Sequence, residues 1–142
     1  MEVTEHRPKL VSFRALAFHG ENKGQANGAE DWTLALTQEI NLGLAVPMVP
    51  GALLQAVVKI DLRAKSINPH TSALSNSAEF SATYEAKFDC PSDVTEEELS
   101  FRIEQEPYQY MLVSQTFPLA MTHFRRELQS MGLDARSLPL GL

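Results

Sequence analysis

Four histidines, one cysteine and a run of glutamates are the residues here whose types suit catalysis or metal binding: His6, His19, His70, His123, Cys90 and Glu96-Glu97-Glu98. A zinc site needs imidazoles or thiolates at short, regular spacing. No histidine stands three or four residues from another or from the cysteine. Their spacing therefore reads as that of surface and loop histidines. A cysteine nucleophile needs a base and an electropositive setting. Cys90 instead sits close to Asp89 and Asp93, whose charges oppose its ionisation. The glutamates follow Thr95 in a capping-box pattern, with Thr95 accepting from the amides of the turn and Glu98 reaching back. Three carboxylates also suit the positive end of a helix dipole, and we prefer that role to a metal cluster. The sequence has no GxGxxG, no P-loop and no GxSxG elbow. These readings point to a protein that presents surface and is not an enzyme, with no cofactor or metal.

The bulk properties agree. The chain has 142 residues, 44% apolar and 21% charged, which fits one globular domain with a modest core over 1–142. A net charge of −6 argues against nucleic acid, whose phosphates need clustered Lys and Arg. A single cysteine permits no intrachain disulfide and fits a reducing compartment. The N-terminal residues do not read as a secretory signal, and no run approaches the roughly 20 apolar residues of a membrane span. A cytoplasmic protein without membrane insertion is expected.

Leu10–Phe18, rich in apolar and aromatic residues, reads as a strand. The glycine-containing stretch His19–Asp31 reads as a loop. From Trp32 the chain alternates, with Trp32, Leu34, Leu36, Ile40, Leu42 and Leu44 on one face. Two prolines in Val46–Gly51 turn it. Leu54–Lys65 alternates again, and Ile67–Ser77 is read as a loop. Glu79–Phe88 is the most regular strand, with Phe80, Ala82, Tyr84, Ala86 and Phe88 on one face. The opposite faces carry charges. Among them Lys59, Arg63 and Lys65 form a small basic patch that Glu39, Glu79 or Glu85 can pair across strands.

After Cys90 the period becomes helical. A short helix starts at Thr95, with Pro107 expected to end it. A second helical region covers Tyr108–Met131. Pro118 either kinks it or opens a new helix there. Leu119, Met121, Phe124, Leu128 and Met131 form its stripe, and Gly132 suits a left-handed cap. Met111, Met121 and Met131 read as core. The expected fold is α+β, a four-stranded antiparallel sheet followed by C-terminal helices packed on one face. One apolar face per strand and long open edges call for a partner, so homo-oligomerisation follows on physical grounds.

This order of elements resembles the SecB-like export chaperone family. The matching residues are Pro118, Phe124, Arg126-Glu127, Gly132 and the Leu138–Leu140 tail, with AFHGEN at Ala17–Asn22 and the strand ending YEAKF as looser matches. The chain has Gly20-Glu21 where the family pattern has a proline after the strand. The resemblance implies a homotetramer built as a dimer of dimers, and ATP-independent holding of unfolded or nascent polypeptides, as in export. Its client-binding candidates here are Phe18, Trp32, Met48, Val49, Leu138 and Leu140. Met121, Phe124 and Leu128 would serve core and assembly. The alternative is an oligomeric adaptor of the same fold that binds one specific folded partner.

Overall fold

The computed structural model describes residues 7–23, 33–67, 74–133 and 138. Four strands come first: β1 (Lys9–Asn22), β2 (Thr33–Ala45), β3 (Gln55–Ile67) and β4 (Leu74–Asp89). Two helices follow, α1 (Glu96–Ile103) and α2 (Glu106–Ser130). All pairings are antiparallel, in the order β1-β4-β3-β2, so β3 and β4 are central and β1 and β2 are edges.

Alternation in β3 and β4 converts directly into a core. Ala56, Val58, Ile60, Leu62 and Ala64 are buried on β3, and Phe80, Ala82, Tyr84, Ala86 and Phe88 on β4. Helix α2 covers this face with Leu112, Val113, Phe117, Ala120, Met121, Phe124 and Leu128. Strand β1 does not alternate in sequence because it is bulged twice, between Leu10 and Ser12 and between Ala15 and Ala17. Each bulge inserts one residue and resets the period. The inserted Val11 and Leu16 point away from the core and are exposed, while Leu10, Phe13 and Phe18 pack against it.

The strands are longer than the sequence pattern suggests. β1 runs on to Asn22, into the expected loop, and β4 starts at Leu74. The larger differences concern proline. Pro107 does not end α1, which stops at Ile103; it lies in the first turn of α2. A first-turn residue needs no intrahelical N–H partner, so proline fits there. Pro118 lies inside α2, which continues through it to Ser130. Packing of the surrounding buried residues offsets the missing hydrogen bond.

The helix ends follow the sequence closely. Thr95 Oγ1 accepts from the Glu98 amide at 3.2 Å, and its hydroxyl meets the Glu98 carboxylate at 3.3 Å. At the other end Gly132 has φ of 87°, Leu133 N–H donates to Leu128 O at 3.1 Å, and Gly132 N–H donates to Gln129 O at 3.0 Å. This is the bond pattern of a Schellman cap. The Asn22 amide donates to Met131 O at 2.7 Å and ties the end of β1 to the end of α2.

Candidate functional site

A helix is about 10 Å across, whereas the outer axes of four strands lie about 14 Å apart. One helix cannot cover such a sheet. Helix α2 packs on β3, β4 and β1, and only the short α1 meets β2 appreciably. Leu34, Leu36, Ile40, Leu42 and Leu44 of β2 are consequently only half-buried, although they alternate as regularly as the β4 residues. Gln38, on the same face, is exposed.

Between β2 and the first turns of α2 lies an open groove of about 420 Å³, lined by Ile40, Leu42, Glu106, Gln109, Tyr110 and Val113. Ile40 and Leu42 reach it because they share the inward register with Ile60 and Val58. Tyr110 is 62% exposed, a large apolar surface for a helical residue. Gln109 is held in place by donating to Ile103 O at 2.7 Å, across the α1–α2 junction. The outer edge of β2 has no strand partner among the described residues. Its ladder of N–H and C=O groups therefore runs beside the groove. An apolar trough next to an open strand edge suits an extended polypeptide, with main-chain bonds at the edge and alternate side chains in the trough.

The six client-binding candidates separate in space. Met48 and Val49 lie on the β2–β3 turn, 98% and 69% exposed. Phe18 is half-buried in an aromatic cluster, its ring 6.4 Å from Phe80, 6.3 Å from Phe124 and 6.5 Å from His123. Leu138 is buried in the core. Trp32 and Leu140 lie outside the described residues. Met121, Phe124 and Leu128 are fully buried against the chain's own sheet. Nothing in the sequence pattern alone singles out Tyr110 and Val113. Their signal is an exposed tyrosine beside an apolar stripe, which gains meaning only once β2 is placed next to it.

The polar groups are mostly satisfied within the fold. The Tyr84 hydroxyl meets His123 Nδ1 at 2.7 Å, and His123 Nε2 lies 3.7 Å from Glu127. Burial and the nearby Glu127 raise the Tyr84 pKa. Burial also pushes the Cys90 thiol up, partly opposed by its hydrogen bond to Tyr108, and raises Tyr108 to about 12. A thiol held in its neutral form is a poor nucleophile. The outer sheet face pairs many of its own charges. Arg14 meets Glu85 at 2.9 Å, Lys65 meets Glu79 at 3.7 Å, and Thr83 donates to Asp61 at 2.6 Å. Among the described residues no helix is long and apolar enough to cross a membrane, and no group of acidic, histidine or cysteine residues is arranged to hold a metal.

No family model matches the sequence, and no curated protein sequence matches it. Solved structures do match. The Mycobacterium tuberculosis Rv1957 SecB-like chaperone, in complex with a ChAD peptide from the Rv1956 HigA1 antitoxin, is similar with a TM-score of 0.53 and 21% identity. The match covers 96% of this chain and 88% of that one. The sheet, its long C-terminal helix and this likeness together define the architecture: the chain has a SecB-like fold.

Proposed function

We propose that this protein is an ATP-independent holdase that binds unfolded or nascent polypeptides. The observation that carries this reading is the incompletely covered apolar row of β2, which meets exposed Tyr110 beside an open strand edge. Exposed apolar surface rimmed by polar groups is the requirement for holding unfolded segments. The solved SecB-like chaperone with its antitoxin peptide supports a polypeptide as the ligand. Assembly as a cytoplasmic homotetramer belongs to the same proposal, since it would cover the remaining edge of β1.

The test is suppression of aggregation of a chemically unfolded client without nucleotide. The wild-type protein should suppress it at modest excess, and Leu42→Glu, which places a charge in the groove, should not. Absence of suppression by the wild type at several-fold excess would refute the general holdase.

A second reading is an oligomeric adaptor of the same fold for one specific folded partner. Affinity capture distinguishes the two. One folded partner supports the adaptor; many unfolded ones support the holdase.

A further inference from the structure

The β2–β3 turn forms a second concavity, outside the groove. No charged residue occurs between Glu39 and Lys59. Within this stretch the turn shapes an open cup of about 510 Å³ whose walls include Val46, Met48, Val49 and Leu53 and which also meets Gln55 and Asp89. The turn is held in shape. Ala52 N–H donates to Val49 O at 3.1 Å, Gly51 takes a φ of 87°, and Cys90 N–H donates to Leu54 O at 2.9 Å. Asp89 is the one charged side chain among the described residues that lines the cup. Its Oδ1 accepts from Gln55 Nε2 at 2.9 Å, which leaves Oδ2 without a partner among the described residues. Lys9, opposite Asp89 in register, makes no ion pair with it there.

Apolar walls with one half-free carboxylate define a narrow ligand chemistry. A purely apolar group would cover Asp89 without pairing it, which is costly. An anion would be repelled. A cation on an aliphatic stem satisfies both parts, since such side chains bury their methylenes and keep the charged end paired or solvated. We propose that this cup receives a lysine or arginine side chain of a partner polypeptide, its stem against Val46, Met48 and Leu53 and its head on Asp89. The site is separate from the β2/α2 groove and does not depend on the holdase reading.

The test is amide chemical-shift mapping on the full chain with the peptide acetyl-Gly-Arg-Gly-amide. A second peptide carries norleucine in place of arginine. The arginine peptide should give saturable shifts confined to Val46–Leu53 and Asp89, weakening as salt is added. Norleucine, or Asp89→Asn in the protein, should weaken binding by about tenfold. Asp89→Asn keeps an acceptor for Gln55, so the fold is preserved. Met48→Ala, at an exposed position, should weaken binding several-fold through the stem, and Tyr110→Ser, at an exposed position of the groove, should leave it unchanged. No saturable shift at the turn, equal binding of the norleucine peptide, or binding unaffected by Asp89→Asn would each overturn the proposal.

Discussion

Strands β4 and β2 carry the same alternation of apolar and polar residues, and they end in different surroundings. On β4 the inward residues Phe80, Tyr84 and Phe88 are fully or almost fully buried under α2. On β2 the inward residues Leu36, Ile40 and Leu42 are only partly buried, because α2 lies over the other strands. Alternation thus records which face is apolar and leaves open what covers it. The uncovered row on an edge strand is the part of this fold with binding capacity to spare. Strand β1, the other edge, meets the same problem differently. Its two bulges re-aim the strand, and Phe18 joins the aromatic cluster with Phe80 and Phe124.

Several substitutions separate the covered region from the uncovered one. The largest effect is expected from Leu128→Asp, which puts an unpaired charge in the fully buried helix–sheet interface. It should cost more than about 4 kcal/mol and unfold the chain, as read by urea denaturation. Gly20→Ala comes next. A Cβ there would lie 2.8 Å from the Phe18 and Phe80 rings and 2.9 Å from Met131 Sδ. Overpacking of this kind costs about 1–3 kcal/mol. Thr95→Ala removes the cap of α1 and should cost about 1 kcal/mol, measured in the same way.

Leu42→Ala should change stability least, by about 1 kcal/mol, because the residue is only partly buried. It should nevertheless weaken client holding in the aggregation assay. Equal loss of stability in Leu42→Ala and in a core truncation such as Phe80→Ala would erase the contrast between the two strands.

Alkaline pH probes the covered region as well. Cys90 and Tyr108 both have raised pKa values through burial, Tyr108 to about 12. The unfolded chain therefore loses these protons first. Their stabilising effect is full below the unfolded values and is lost as pH rises from about 9 towards about 12. The urea midpoint should fall between about pH 9 and pH 12, and Tyr108→Phe should flatten the upper part of that fall.

Much of this architecture is legible in the residues themselves. The alternation of Leu54–Lys65 and Glu79–Phe88 specifies the central strands, and Thr95 and Gly132 mark helix ends through local hydrogen bonding. The prolines mislead for a physical reason. Local rules treat Pro107 as a break and allow either a kink or a new helix start at Pro118, whereas a first-turn position tolerates the one and α2 continues through the other. The bulges of β1 hide its period, so its inward residues cannot be read by counting. The groove is hidden for a different reason. Ile40 and Leu42 announce an apolar face, but only the three-dimensional placement of α2 shows that this face is left open beside Tyr110. Met48 and Val49 were legible as apolar turn residues, while Asp89 joins them only through the pairing of β3 with β4.

Client holding at the β2 groove requires that an unfolded polypeptide contact the chain there. Hydrogen–deuterium exchange in the presence of a chemically unfolded client measures this directly. Protection is predicted in β2, from Leu34 to Leu44, and in the first turns of α2 around Tyr110, with the outer sheet face unchanged. Protection confined to β1 or to the outer sheet face, with β2 unaffected, would contradict the account.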